Sequence, residues 1–218
     1  MPYKSVFKNQ ETKINIKRSE FIGNCAKVNN EEEAKIFIKK INDKYKNASH
    51  NCWAYIVREK RLINNFSDNG EPSGSAGKPI FGEIQKYDLE NIVIVITRFF
   101  GGIKLGVRGL IDAYSQTAAV VLKNSKVVEY RNSHVYKIQT DYSTYSEIEK
   151  IFKREIGWKI ENIEFTDLVD FEISIDEEKI DNLKGILENK VSFMEFQKTE
   201  EKPYKVRDWN ETKFVQSL

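Results

Sequence analysis

The chain has 218 residues, of which 40% are hydrophobic and 31% are charged, a composition typical of a folded protein with one or two domains. It contains no run of about eighteen apolar residues, and its first residues lack the apolar stretch of a secretory signal, so we expect neither a membrane span nor export. Two cysteines cannot form a disulfide framework, and with the two histidines they are not expected to form a structural zinc site unless carboxylates join. We therefore expect a cytoplasmic protein without a metal or a cofactor.

The two halves of the chain carry opposite charge. Residues 1–131 hold 22 Lys and Arg against 14 Asp and Glu, whereas residues 132–218 hold 13 against 19. A basic first half is compatible with an anionic partner such as RNA. The acidic second half could adjust solubility or meet the first half across an interface.

The first elements are predicted from local periodicity. Alternating segments at Lys13–Lys17 and Ser19–Val28 predict a β-hairpin or two sequential strands. Asn29 or Asn30 can cap the amphipathic helix that follows, because three glutamates and then apolar residues at helical spacing come directly after them.

Two apolar segments predict buried strands of one sheet. Asn51–Arg58 is apolar on both alternating faces, as expected of a strand covered on both sides, and Arg61–Phe66 could pair with it through a short turn. Asn91–Thr97 is rich in β-branched residues and nearly continuously apolar. We therefore expect a sheet that shares its core with helices.

Two glycine-rich segments each lead into a predicted helix. Residues 67–79, SDNGEPSGSAGKP, end where Pro79 enters the first turn of a helix that runs through Tyr87. Residues 98–109, RFFGGIKLGVRG, precede a helix from about Leu110 to Lys123.

From residue 132 the pattern changes to a β-α-β-β-α-β succession, the order of a ferredoxin-like sandwich. Asp176 is predicted to cap the second helix of this domain. The predicted strands are Val135–Thr140, Lys159–Thr166, Val169–Ile175 and Val191–Gln197. The sequence thus predicts an α+β protein with domains at residues 1–131 and 132–202 and a tail at 203–218, which either docks an aromatic residue or is loosely ordered.

The second glycine-rich segment is the best candidate for binding phosphate. Free N–H groups at a helix start favour an anion, and the basic side chains of the segment add mobile positive charge. Its spacing matches neither G-x-G-x-x-G nor G-x-x-x-x-G-K-[ST], and the glycines could instead serve close packing while the cations are solvated. Phe99, Phe100 and Tyr55 could stack on bases or pack in the sheet. The residues predicted to contact phosphate are Arg98, Gly101, Gly102, Lys104, Gly106 and Arg108.

Evidence for a catalytic centre is weak. His50 and Cys52 would share one face of a strand, but side chains two residues apart stand nearly 7 Å from each other at about 3.3 Å per residue, too far for a thiolate–imidazole pair. Asp68 and Glu71 could bind magnesium or act as acid and base, although carboxylates in such loops more often cap backbone N–H groups. Asp68, Glu71 and His50 are therefore only weak catalytic candidates.

Three blocks, ASHNCWAYIV at 48–57, FSDNGEPSGSAGKPIF at 66–81 and TRFFGGIKLGVRGLIDAYS at 97–115, together resemble the YigZ/IMPACT family. The resemblance extends over both domains. It implies a first domain with the two-layer α/β fold of domain IV of elongation factor G and of a small-subunit ribosomal protein, and a second domain like domain V of that factor. The positions that match the family motif include His50, Asn51, Asp68, Gly70, Glu71, Pro72, Gly74, Gly77, Gly109 and Tyr114.

The resemblance also implies a role in translation. It suggests a protein that touches ribosomal or other RNA, whereas eukaryotic relatives regulate a starvation-sensing kinase pathway through protein contacts. None of the motif residues is an established catalytic residue in the family. Arg108 stands where bacterial relatives commonly have a small residue, and Asp112 stands where a basic one is common. At the helix start, this chain therefore gains one basic residue and has an acidic residue in place of another basic one.

The leading hypothesis is a non-enzymatic RNA-interacting or translation-associated regulator, with RNA, the ribosome or a protein of the translation apparatus as partner. A protein-binding adaptor would instead show an exposed apolar patch in place of a cationic groove. An enzyme acting on a small phosphorylated or nucleotide substrate would show a deep pocket joining the two glycine-rich segments, with Asp68 or Glu71 near His50.

Overall fold

The computed structural model describes residues 2–154, 158–188, 191 and 193–204. These residues form two compact units, Tyr3–Glu129 and Tyr130–Tyr204, and the predicted α+β class is confirmed. Residues 205–218 of the predicted tail lie outside the described residues. Among the described helices, none is both long and apolar enough to cross a membrane.

The first unit is built on an antiparallel sheet. The strands of the unit are β1 Tyr3–Val6, β2 Gln10–Ile16, β3 Ser19–Lys27, β4 His50–Arg58, β5 Leu62–Ser67 and β6 Ile92–Phe99. The strand order in this sheet is β2-β3-β6-β4-β5. The predicted hairpin is confirmed, because β2 and β3 are joined by a tight turn at Lys17 and Arg18.

Three helices, α1 Glu31–Lys44, α2 Gly77–Lys86 and α3 Gly106–Ser125, cover this sheet. Asn30 caps α1, as predicted, since its side chain accepts a hydrogen bond from the Glu33 backbone N–H. The apolar face of α1 packs on one side of the sheet, and α2 and α3 pack on the other. Strand β4 is therefore covered on both faces, as predicted, and the unit has three layers where the resemblance implied two.

Helix α3 begins at Gly106, earlier than the predicted start near Leu110. The first turn contains Gly106 and Gly109, and glycine is a poor helix former, so the sequence signal is weak there. The prediction for α2 was closer, since Pro79 lies in its first turn and Tyr87 follows its last residue.

Antiparallel pairing brings four connections of the first unit to one end of the sheet. Glu20 pairs with Phe99 and His50 pairs with Arg98, so the start of β3, the end of β6 and the start of β4 are neighbours. The end of β5 lies beside the same end of β4, since Ser67 pairs with Trp53. We call this the loop end of the sheet.

The second unit has the predicted ferredoxin-like topology. Its elements are β7 Val127–Thr140, α4 Tyr142–Phe152, β8 Trp158–Phe165, β9 Val169–Asp176, α5 Ile180–Leu187 and β10 Phe193–Tyr204. Strand β9 is antiparallel to β7 and β8, and β10 pairs with β7, which gives the order β10-β7-β9-β8. Apolar residues of α4 and α5 pack against alternate residues of β9, as predicted.

The predicted helix cap at Asp176 is wrong. A 3-10 turn, Glu177–Lys179, precedes α5, and the Asp176 side chain makes no capping hydrogen bond there. Its carboxylate Oδ2 instead lies 3.5 Å from Nη1 of Arg131. Asp176 therefore forms an ion pair with Arg131, which is distant in sequence, instead of capping the helix that follows it.

Candidate functional site

Two glycine-rich loops meet at the loop end. The inner loop, residues 68–76, joins β5 to α2, and the outer loop, residues 100–105, joins β6 to α3. The hairpin tip, Lys17 and Arg18, lies beside them between β2 and β3. The three motif blocks that identify the family resemblance therefore come together at this place.

Asp68 closes the inner loop. Its Oδ2 accepts from the Gly74 N–H at 2.8 Å, and its Oδ1 accepts from the N–H groups of Ala76 at 2.9 Å and Gly77 at 2.8 Å. The last two N–H groups belong to the start of α2, so this carboxylate acts as the helix cap from a distance. Both oxygens are used within the loop, which leaves Asp68 without the free carboxylate of an acid–base catalyst.

Glu71 and Arg98 form a buried ion pair beneath the inner loop. Glu71 Oε1 accepts from Arg98 Nη1 at 2.6 Å and from the Tyr114 hydroxyl at 3.0 Å. Only 3% of the Glu71 side chain and 6% of the Arg98 side chain are exposed. Burial raises the pKa of Tyr114, so its hydroxyl stays protonated and donates. The network joins the loop, β6 and α3.

The expectation that Arg98 offers a mobile charge to phosphate is wrong. Its guanidinium is held by Glu71, and its Nη2 lies 3.4 Å from the Ser19 hydroxyl. The alternation of side chains along β6 could have indicated this burial. Arg98 lies on the same face of the strand as Ile94 and Ile96, which point into the core. Glu71 is buried in the same ion pair, so its carboxylate is not exposed as a catalytic group would be.

His50 and Cys52 both contact the inner loop and do not pair with each other. The Cys52 thiol donates to the Asp68 carbonyl at 2.9 Å, and burial raises its pKa to about 12, so it is not a nucleophilic thiolate. His50 Nδ1 lies 2.9 Å from the Asn69 carbonyl. Gly70, at φ +86°, lies directly over the His50 ring, where a Cβ atom would approach Nδ1 to 3.2 Å. These contacts hold the inner loop against β4.

The outer loop is fitted against the hairpin tip. A Cβ atom on Gly101 would lie 1.9 Å from the Arg18 carbonyl oxygen, so only glycine allows the two backbones to approach this closely. The Gly101 N–H also donates to the Ser19 hydroxyl at 3.2 Å. Two segments more than eighty residues apart in sequence are thereby held together.

Four exposed basic side chains lie on the hairpin tip, the outer loop and the first turn of α3, and we call them the basic surface: Lys17, Arg18, Lys104 and Arg108. Lys17 and Arg18 adopt φ values of +44° and +67°, a region that long side chains seldom occupy. Arg108 is 88% exposed and lies 3.3 Å from Asp112. Sequence reasoning missed Lys17 and Arg18, although Lys17 ends the first predicted strand and Arg18 lies between the two predicted strands, where an exposed turn is expected.

Apolar side chains are also exposed on and beside the outer loop. Phe100 is 49% exposed, Ile103 39% and Val107 55%. The other two aromatic residues considered for stacking are packed, since the Phe99 ring lies edge-on to Tyr45 at 6.3 Å and Tyr55 is fully buried. The loop end thus combines the cations expected of an RNA-binding protein with apolar groups expected of an adaptor.

The backbone of the outer loop is open at the glycines predicted to approach phosphate. Gly102 and Gly106 have φ values of +85° and +72°, and a Cβ atom on either would have no atom within 4 Å apart from the adjoining backbone. No side chain caps α3 at Leu105, and its first turn contains no acidic residue. The space beside these two glycines is therefore free.

Comparison with known proteins places the chain in a family. A model of the Impact N-terminal domain matches residues 17–122, and a model of a domain of unknown function, DUF1949, matches residues 138–189. The protein "IMPACT family member YvyE" of Bacillus subtilis is 37% identical over 177 residues, 81% of each chain. This chain belongs to the IMPACT family. The resemblance inferred from the three sequence blocks is confirmed.

Other relatives agree with this assignment. "IMPACT family member YigZ" of Escherichia coli is 29% identical over 76% of this chain and 81% of its own length. A solved structure described as a hypothetical protein is 26% identical, covers 86% of this chain and 92% of that one, and superposes with a TM-score of 0.59. The similarity to IMPACT family proteins thus spans both units.

Proposed function

We propose that this IMPACT family member is a translation-associated regulator that binds RNA, free or on the ribosome, and that the basic surface contacts the phosphate backbone. The observation that carries the proposal is the fit of Gly101 against Arg18, which fixes the dibasic hairpin tip beside the outer loop. Cations from two distant segments thereby form one surface. The backbone that carries these cations is arranged in advance, so phosphate binding has to order only their exposed side chains.

The local electrostatics support an anionic ligand. Within the described part of the chain, Lys17, Arg18 and Lys104 have no ion-pair partner, and Arg108 has only an exposed pair, which stabilises little. Of the carboxylates of the inner loop, Glu71 is neutralised by Arg98, and the charge of Asp68 is partly offset by the dipoles of three backbone N–H groups.

The decisive experiment measures binding of the full chain to ribosomes and to a short labelled RNA across a salt series. We expect log affinity to fall linearly with log salt concentration, with a slope of about 0.7 per phosphate contact on a single strand. Replacing the four residues of the basic surface by alanine should remove most of that slope.

The chain offers a matched control at the opposite end of the sheet. Lys60 and Arg61 are an exposed dibasic pair in the turn between β4 and β5. A Lys17→Ala, Arg18→Ala variant should weaken binding, whereas Lys60→Ala, Arg61→Ala should not, although both lose the same charge. Equal losses in the two variants, or binding that salt does not affect, would contradict the proposal.

An adaptor that binds protein is the second candidate, because Phe100, Ile103 and Val107 are exposed close together in sequence. Such binding would depend little on salt and would be lost when these residues become polar. The geometry gives less support to an enzyme, since Asp68, Glu71 and His50 are each engaged in contacts that build the inner loop.

A further inference from the structure

Phe100 differs from the other aromatic residues at the loop end because it is half exposed and yet anchored. Its backbone N–H donates to the Ser49 hydroxyl at 3.1 Å. The centroid of its ring lies 5.5 Å from the guanidinium carbon of Arg98. An exposed phenylalanine with these two contacts is held in place.

The anchor of Phe100 continues into the core. The same guanidinium carbon lies 5.5 Å from the ring of Phe21, which is fully buried, and Glu71 fixes the guanidinium at 2.6 Å. Arg98 thus contacts one ring in the core and one at the surface. Since these groups are already ordered, a flat ligand that covers the exposed part of the Phe100 ring restricts little additional motion.

The surroundings of Phe100 are charged in a way that suits a nucleotide. Gly101, the next residue, contacts the backbone of Arg18, and Lys104 follows three residues later. An exposed aromatic ring with cations nearby is the combination with which proteins hold single-stranded nucleic acid, the ring stacking on a base and the cations contacting phosphates.

We infer that Phe100 is a stacking platform for an unpaired base, so that the ligand of the loop end is single-stranded RNA rather than a duplex. This inference rests on the proposed function and narrows it. A base inside a duplex is already stacked and paired and cannot lie on a protein ring, so a duplex would engage the basic surface alone. Of the aromatic residues considered, Phe100 presents an exposed ring, whereas Tyr55 is buried.

Phe100 could instead serve only as an apolar cover over the buried ion pair of Arg98 and Glu71. Two substitutions distinguish this structural role from base stacking. Phe100→Leu keeps an apolar cover over Arg98 and removes the aromatic face, while Phe100→Tyr keeps the face. Thermal unfolding of both variants shows whether the cover has been preserved.

The test compares three labelled probes of one sequence: a short single-stranded RNA, the same strand annealed to its complement, and the same backbone with abasic sites. We expect the wild-type chain to prefer the base-bearing single strand. Phe100→Leu should weaken binding to it about tenfold, the effect of losing one stacked base, and should leave the duplex and abasic probes unaffected. Phe100→Tyr should bind like the wild type.

The outcomes distinguish the two proposals. Salt-dependent binding of all three probes with equal affinity, unchanged in a folded Phe100→Leu variant, would overturn stacking and leave the phosphate contacts standing. Equal weakening of all three probes would assign Phe100 to the cover and overturn stacking as well. No binding of any probe or of ribosomes by the folded wild-type chain would overturn both proposals in favour of a protein partner.

Discussion

The inner and outer loops have similar composition and opposite uses. Both are rich in glycine, both lie at the loop end, and both lead into a helix. In the inner loop Asp68 and Glu71 turn inward to backbone N–H groups and to Arg98, whereas in the outer loop Lys104 and Phe100 point outward. Glycine content therefore identifies where the chain turns sharply, and the partners of the polar groups identify which loop is available to a ligand.

The largest effect on stability should come from Glu71→Ala, which leaves the buried charge of Arg98 unpaired. We expect the free energy of unfolding to fall by about 3–5 kcal/mol, measured by urea titration with circular dichroism. Tyr114→Phe is the control, because it removes the hydrogen bond to Glu71 and the weaker one from the Cys52 thiol but leaves Arg98 paired, and it should cost about 1 kcal/mol. If the two variants are equally stable, the inner loop is not held by this ion pair.

Asp68→Ala should be next, with a loss of about 3 kcal/mol, because three backbone N–H groups lose their acceptor. Asp68→Asn retains a carbonyl oxygen for the N–H groups of Ala76 and Gly77 and should lose about 1 kcal/mol. Urea unfolding of both variants checks the order. A smaller loss for alanine than for asparagine would show that the capping contacts are unimportant.

Gly101→Ala and Gly102→Ala compare the packed and open glycines of the outer loop. The methyl group at Gly101 would enter the backbone of Arg18, and we expect a loss of about 2 kcal/mol. The methyl group at Gly102 would have no atom within 4 Å apart from the adjoining backbone, so only its φ of +85° costs energy, about 1 kcal/mol. If the loss at Gly102 equals or exceeds that at Gly101, the hairpin tip is not held by this close fit.

Lys104→Ala should have the smallest effect on stability, less than about 0.5 kcal/mol, because its side chain is exposed. Its effect should appear in RNA binding, as a decrease of about 0.7 in the salt slope. Salt titration with the labelled RNA measures it, with urea unfolding as the control. A large loss of stability would mean that the outer loop, like the inner one, is structural.

The parts of the fold that were predicted correctly depend on local pattern. The β2–β3 hairpin, the cap at Asn30 and the β-α-β-β-α-β succession of the second unit follow from alternation, helical spacing and cap residues within short segments. The start of α3 was missed because Gly106 and Gly109 weaken the helical pattern, although packing of the rest of the helix on the sheet stabilises its first turn.

The candidate site was predicted less well because it is assembled from distant segments. Glu71 and Arg98 are 27 residues apart, and their pairing depends on the end of β6 meeting the inner loop. Arg18 reaches the outer loop only because β3 lies beside β6 in the sheet. Periodicity gives the residues of a strand and its faces but not its neighbours. It could therefore place Arg98 on the inward face of β6, but it could not identify Glu71 as its partner.

Cys52 lies beneath the inner loop and gives the protein a built-in reporter of local opening. With its thiol bonded to the Asp68 carbonyl and its pKa raised by burial to about 12, it should resist alkylation at neutral pH until that loop lifts. Cys25, buried on β3 with its pKa also raised to about 12, provides an internal standard for unfolding of the whole sheet. The ratio of the two labelling rates therefore measures, in the unmodified chain, whether the inner loop breathes independently of the sheet below it.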